Sequence, residues 1–172
     1  GYVNLVTKTP TLDNFIRGGT RVGFDDYGQS RARGTVDVNQ VVGDFAFRFN
    51  AMAEGGDIFG RDLADSDAWG VAPSIAYGLG TDFRAILAYE HVERKGRPDW
   101  GIPINQVPGV TIPGAGPRTV YPAGDPRDTY YGRLDDFDDT KSDALLARFE
   151  YDINNAVTVS NQTRWSNVHR QS

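Results

Sequence analysis

The sequence predicts an all-β fold, an antiparallel transmembrane β-barrel wall of about seven strands that would be an open sheet if alone. Three observations carry this. Apolar side chains alternate with small or polar ones through most of the chain, and period two is the repeat of a strand. Each alternating run has about the length a tilted strand needs to cross a bilayer, roughly 9–11 residues. The connections are sorted by length: tight turns at Gly43 and Asp44, residues 80–82, and Asn154 and Asn155 alternate with longer ones at residues 25–30, 54–66 and 93–140. Short turns on one side and long loops on the other is the outer-membrane barrel pattern, whereas a soluble sandwich has no reason to sort its loops by side.

In chain order, residues 2–8 (YVNLVTK) read as a short strand stopped by Pro10. In residues 13–24, Arg17, Gly19, Arg21 and Gly23 alternate with Ile16, Gly18, Thr20, Val22 and Phe24. Residues 33–41 set Arg33, Thr35, Asp37 and Asn39 against Val36 and Val38. Residues 44–53 give the cleanest strand, with Phe45, Phe47 and Phe49 facing one way and Ala46, Arg48 and Asn50 the other. The hairpin of residues 69–91 follows. Its first arm carries Trp69, Val71, Ile75, Tyr77 and Leu79 on one face and Gly70, Ala72, Ser74, Ala76 and Gly78 on the other. Its second arm sets Phe83, Leu87 and Tyr89 against Arg84, Ala88 and Glu90. Lipid is expected against Phe83, Leu87 and Tyr89, and the lumen against Ala72, Ser74, Ala76 and Arg84, with Glu90 and His91 near the outer rim. Pro73 lacks a ladder donor, so a bulge or an unpaired position is expected there. Residues 142–153 and 157–165 form the last hairpin. Trp69, Tyr77, Phe83, Tyr89, Tyr151 and Trp165 are expected near strand ends, as interfacial girdles require.

No apolar run approaches the ~18–20 residues of a membrane helix. There is no cysteine, which removes disulfides, zinc-cysteine sites and thiol nucleophiles. The net charge of −5 gives no basic stripe for nucleic acid. The two histidines, His91 and His169, are far apart and read as interfacial or lumenal side chains, so no enzyme is expected. The acids Asp135, Asp136, Asp138 and Asp139 lack the spacing of a calcium loop and read as solvated, as do Asp62, Asp65 and Asp67. No cofactor or metal is expected on this chain. Both ends fall within or just after strand-like sequence, as expected of an internal piece of a longer protein.

Residues 93–140, punctuated by prolines and glycines, are the ligand-facing candidate. Arg97, Trp100, Tyr121, Arg127, Tyr130, Tyr131 and Arg133 combine guanidinium and aromatic groups, which suit an anionic, flat-ringed ligand through charge-assisted bonds and stacking. Arg17, Arg21, Arg48, Arg84, Arg148 and Glu150 are expected to face the lumen and to pair there, because an unpaired charge in a wall is costly.

The opening GYVNLVTKTP resembles the end of the plug domain of TonB-dependent siderophore receptors. RGTVDVN at residues 33–39, FRFNAM at 47–52, WGVAPSIAYGLG at 69–80, PDWGIP at 98–103, YYG at 130–132 and NQTRW at 161–165 agree with that family in order. The resemblance implies part of a roughly 22-stranded plugged barrel, with residues 1–10 ending the plug and residues 11–172 beginning the barrel. It also implies an outer-membrane location in a Gram-negative bacterium and import of a ferric siderophore, with TonB as the partner through plug and N-terminal segments this chain lacks. The rival readings are a small complete outer-membrane barrel with an adhesin or structural role, and a secreted soluble β-sandwich. Two open sheet edges predict aggregation of the isolated chain.

Overall fold

The computed structural model describes residues 7–99, 101 and 130–172. They form seven strands: β1 (Phe15–Phe24), β2 (Ser30–Val42), β3 (Phe45–Gly56), β4 (Asp65–Tyr77), β5 (Phe83–Arg97), β6 (Asp139–Asn154) and β7 (Val157–Gln171). Each pairs antiparallel with the next in one sheet ordered β1-β2-β3-β4-β5-β6-β7. A simple meander places its connections alternately at the two ends of the sheet, so the tight turns share one end and the long connections the other. Gly43, at φ 59°, makes the two-residue β2–β3 turn possible, since a side chain there would be strained. The predicted strand at residues 2–8 lies outside the described residues except for Thr7 and Lys8, which belong to no strand.

Register assigns every side chain to a face. The outer face carries Phe45, Phe47 and Phe49 of β3, Trp69 and Tyr77 of β4, Phe83, Leu87 and Tyr89 of β5, and Leu145, Phe149 and Tyr151 of β6, all substantially exposed. On the inner face the buried residues are small or polar, among them Ala46, Ala76, Ser74, Asp37 and Asn39. This inverts the usual preference for burying large apolar side chains, and it suits a sheet with lipid outside and a polar lumen inside. The expected lumenal residues Arg17, Arg21, Arg48, Arg84, Arg148 and Glu150 all fall on the inner face. Arg84 bridges Glu150 at 3.2 Å and Asp152 at 2.5 Å, Arg148 also pairs with Glu150, and Glu54 takes Arg31 and Arg33.

At the tight-turn end Phe45 and Tyr77 meet at 5.1 Å between ring centroids and Tyr77 and Phe83 at 6.4 Å, with Tyr151 opposite Phe83. This is one girdle. Trp69, Tyr89 and Trp165 mark the other boundary of the apolar band, but they lie within strands rather than at their ends. The strands run on past them: β5 reaches Arg97, β6 starts at Asp139, β7 ends at Gln171 and β3 extends to Gly56. These extensions are mostly polar on both faces and carry paired charge, as where Glu93 takes Lys95 of its own strand at 3.0 Å and Lys141 across on β6 at 3.4 Å. The loop expectations of residues 54–66 and 93–140 were therefore too long at both roots. Leu79 lies in the β4–β5 turn rather than on a strand face.

Pro73 causes no bulge. The β4–β5 ladder goes from Val71 opposite His91 to Ser74 opposite Ala88, skipping the two positions between without a change of register. The missing N–H therefore opens a gap in the ladder, while Pro73 still lies opposite Phe49 on β3. The register irregularity that does occur falls between Asp152 and Asn154, beside the last turn.

Residues 7–14 lie against the inner face near the tight-turn end. Asn39 accepts from Thr11 N at 3.0 Å and donates to the carbonyls of Thr11 at 2.9 Å and Asp13 at 2.7 Å. Arg48 grips Asp37 through two bonds of 2.8 Å and donates to Thr9 O at 2.7 Å. Lys8 pairs with Asp37 at 2.9 Å. Beside this segment the inner face cups an open trough of about 540 Å³, which Thr7, Lys8, Asp37 and Arg48 help to line.

If the outer face meets lipid, position along β5 sets the cost of a charge. Leu87→Arg, mid-band, is expected to destabilise by ~2–4 kcal/mol and Phe83→Arg, at the girdle, by ~0–1 kcal/mol. Denaturant unfolding of the full-length protein in phospholipid vesicles measures both, and equal costs would contradict the assignment of this face.

Candidate functional site

The long connections gather at one end of the sheet, and side chains tie them into a rim. Asp25 starts the first, residues 25–29. One of its carboxylate oxygens accepts from Tyr27 N at 3.0 Å and Gln29 N at 2.9 Å, and the other accepts from Gly60 N at 2.9 Å in the second connection, residues 57–64. Gln29 is buried and donates through Nε2 to Arg61 O at 3.1 Å, while its Oε1 accepts from Gly60 N at 3.0 Å. Burial works to raise the Asp25 pKa, but backbone N–H groups of Gly60, Gln29, Tyr27 and Gly28 outweigh it and hold the carboxyl below its ordinary value.

The second connection is bound to the third. Arg61 Nε donates to Asp99 at 2.9 Å, and Arg97 Nη1 donates to Leu63 O at 2.7 Å. Leu63, at φ 60°, is the one non-glycine residue with positive φ among the described residues. Ala64 N reaches Asp62 O at 2.8 Å around it, which makes Leu63 the centre of a γ-turn of the rare strained kind. Arg97 thus props the carbonyl of a strained turn.

The sequence-predicted ligand residues divide here. Arg97 and Tyr130 share a neighbourhood with Asp65 and Asp99, and burial together with nearby Asp136 pushes the Tyr130 phenol up. Tyr130 donates to Arg133 O at 3.2 Å. The Tyr131 hydroxyl and Arg97 Nε are buried with no hydrogen-bond partner among the described residues. Arg133 leaves this group and lies exposed, bonded to Asp135 at 2.9 and 3.1 Å. Trp100, Tyr121 and Arg127 lie outside the described residues. Asp138, in the acid cluster, is held below its usual range by Arg170, which bonds it at 2.7 and 2.9 Å. No group of three or more potential metal-ligating residues occurs among the described residues. On the outer face His91 Nδ1 lies 2.8 Å from Asp143, which also accepts from Tyr89 OH at 2.5 Å, and the His91 ring meets Trp69 at 4.9 Å.

Sequence reasoning did not find Asp25, Gln29, Arg61 or Leu63. An aspartate opening a glycine-bearing turn could have flagged Asp25 as a backbone-capping residue. Nothing in the sequence marks the other three.

Because the Asp25 pKa is lowered in the folded rim, its support is present above the ordinary aspartate value of about 3.9 and is lost as pH falls through the lowered one. Amide exchange at Gly60 is therefore expected to stay protected at neutral pH and down to about 5. Asp25→Asn, which keeps one acceptor oxygen, is expected to speed that exchange about tenfold at neutral pH. Unchanged exchange in the variant would show that Asp25 does not tie the two connections.

No family model matches the chain. The catecholate siderophore receptor Fiu of Escherichia coli strain K12 is 41% identical over 170 residues, covering 98% of this chain and 22% of the receptor. The metal-pseudopaline receptor CntO of Pseudomonas aeruginosa (strain PAO1) is 33% identical over 154 residues, 87% of this chain and 20% of the receptor. Among solved structures, the closed form of the ferric-catecholate import receptor Fiu from E. coli K12 superposes with a TM-score of 0.81 at 40% identity, over 95% of this chain and 23% of that one. The siderophore receptor PiuA from Acinetobacter baumannii gives 0.77 at 25% identity, over 95% and 22%. The chain thus spans about a fifth of the length of the relatives it matches. All of these relatives are named as receptors. The inverted sheet, the sorted connections and likeness along nearly the whole chain agree: the chain is similar, strand for strand, to a segment of TonB-dependent siderophore receptors, which are outer-membrane β-barrels of Gram-negative bacteria.

Proposed function

We propose that this chain supplies part of the barrel wall and outer rim of a receptor that imports a ferric siderophore, energised through TonB. The observation that carries the proposal is the inverted sheet, lipid-compatible outside and charge-paired inside, in a chain 41% identical to a catecholate siderophore receptor. A soluble sandwich would bury Phe45, Phe47 and Phe49 rather than present them. The role is transport and not catalysis, with the ferric siderophore as cargo and no resident cofactor on this chain.

The chemistry of the rim supports the cargo class. A ferric catecholate complex is anionic and presents flat rings, which arginine and aromatic side chains accommodate by charge-assisted bonds and stacking. Arg97, Tyr130, Tyr131 and Arg133 are the described residues we assign to that contact, with Trp100, Tyr121 and Arg127 assigned on chemistry alone. Arg133 is the free-standing probe, because it is exposed and its pairing with Asp135 is a surface one. Arg97 also supports Leu63, so its loss would disturb the rim as well as any ligand. Residues 1–10 we assign to the end of the plug and the rest to the barrel; the docking of residues 8–14 on the inner face supports a chain passing from lumen to wall.

Deletion of the full-length gene is expected to abolish growth on ferric catecholates under iron limitation, and unchanged uptake of each one tried would overturn the iron assignment. In the full-length receptor, Arg133→Ala is expected to raise the ligand Kd about tenfold. That is the lower end of the ~1.5–3 kcal/mol of a hydrogen bond to a charged group at ~1.4 kcal/mol per decade, as suits an exposed side chain. Equilibrium titration of the purified receptor with iron(III) tris(catecholate) reads the change, and no change would remove Arg133 from the site.

A further inference from the structure

We propose that Phe59 is a specificity-determining residue of the rim, a fixed ring that stacks on an aromatic iron chelate and tells it from a ring-free one, with Gly23 as its seat. The proposal rests on the reading of this chain as part of a ferric-siderophore importer. Phe59 stands in the second connection, at the second position of a turn closed by Arg61 N on Ile58 O at 3.2 Å. Gly60 takes the third position at φ 72°, the left-handed conformation that a type II turn needs there and that glycine adopts without strain. The surrounding backbone is tied on every side. Gly60 N meets both Asp25 and Gln29, and Ile58 N donates to Ala64 O at 2.9 Å. Asp57 N donates to Ser30 O at 2.9 Å, and its carboxylate accepts from Ser30 N at 2.9 Å.

The ring reaches from this turn to β1. Gly23 lies there on the inner face, opposite Arg31 and two residues past Arg21. A Cβ on Gly23 would come within 2.9 Å of the Phe59 ring at Cζ and 3.2 Å at Cε2, so the ring occupies the place of the missing side chain. Even so, Phe59 stays 47% exposed. A large apolar ring left open to water on a locked backbone contributes little to the fold. It has the form of a binding anchor, ordered before any ligand arrives. The charge beside it selects the sign of that ligand. On the inner face at this height stand Arg21, Arg31 and Arg33, and the one carboxylate among them, Glu54, is bonded to the last two. Arg21 is exposed and has no ion pair or hydrogen bond among the described residues. Three guanidiniums against one carboxylate leave this part of the inner face cationic at the foot of an open ring. A flat, anionic, ring-bearing complex suits both features, and a neutral complex without rings suits neither.

The test is equilibrium titration of the purified full-length receptor with iron(III) tris(catecholate), anionic and ring-bearing, and with iron(III) tris(acetohydroxamate), neutral and ring-free. Phe59→Leu keeps the apolar bulk and removes the ring. It is expected to raise the Kd of the catecholate complex about fivefold and to leave that of the hydroxamate complex within twofold of the parent. The Gly60 amide is expected to stay as protected from exchange as in the parent. Phe59→Trp is expected to restore the parent Kd for the catecholate complex. An unchanged catecholate Kd in Phe59→Leu, or a loss that Phe59→Trp does not recover, would overturn the proposal. Equal weakening of both complexes, or loss of protection at Gly60, would overturn it too, because the ring would then be a support of the loop. Should Phe59→Leu fail to reach the membrane, Gly23→Ala puts a methyl group where the ring lies and carries the same expected changes in Kd. A parent receptor that binds neither complex would remove the functional reading and this inference with it. A parent that binds the catecholate complex, with no effect of Phe59→Leu, would remove the inference alone.

Discussion

A backbone placed in hydrocarbon has no water to satisfy its N–H and C=O groups, so each must find a partner within the protein. The rest of this structure depends on that requirement. Strands β2 to β6 meet it laterally on both sides, each bonded to its two sequence neighbours, and β1 and β7 meet it on one side, as the edges of the sheet. The side chains are then free to sort by face alone, and they do so against the habit of soluble proteins: phenylalanine, leucine and tryptophan outward, alanine, serine and paired charge inward. Pro73 is the tolerated exception. It forfeits a donor on the β5 side, and the register on either side of the gap holds because the neighbouring positions remain bonded.

Charge is distributed with the same economy. On the inner face Arg84, Arg148, Glu150 and Asp152 bridge β5 and β6, and Glu54 gathers two arginines from β2. At the rim, carboxylates bind backbone N–H groups as often as they bind cations, with Asp25 holding two connections and Asp57 closing onto Ser30 N at 2.9 Å. Such bonds fix loop backbones without drawing on arginine side chains. The wall and its mouth are rigid for different reasons, the ladder in one and capped turns in the other.

How far this was legible in the sequence follows from where the physical signal resides. Alternation across the membrane is enforced by two unlike solvents, so Phe45, Phe47, Phe49, Phe83 and Leu87 announced their face. Past the bilayer both faces of a strand meet water and alternation vanishes, which is why residues 93–97 and 139–140 read as loop although they belong to strands. The same effect placed Trp69, Tyr89 and Trp165 at expected strand ends when they mark the edge of the lipid instead. Pairing of lumenal charge was readable as a need, but the partners were not, because Arg84 meets Glu150 only through register. Asn39 in RGTVDVN carried no sign that it would stand in for a neighbouring strand, and the tie from Arg97 to Leu63 needed three dimensions to be seen.

The strands that continue beyond the apolar band have an architectural consequence. From Glu93 to Arg97, a rise of ~3.4 Å for each step from one residue to the next along a strand tilted by ~40° raises the sheet by about 10 Å. That exceeds the ~5–8 Å occupied by headgroups on one side of a bilayer. The wall therefore stands above the membrane like a parapet, and its loops open into bulk solvent. A solute reaches them by diffusion through water, without having to partition into the lipid surface.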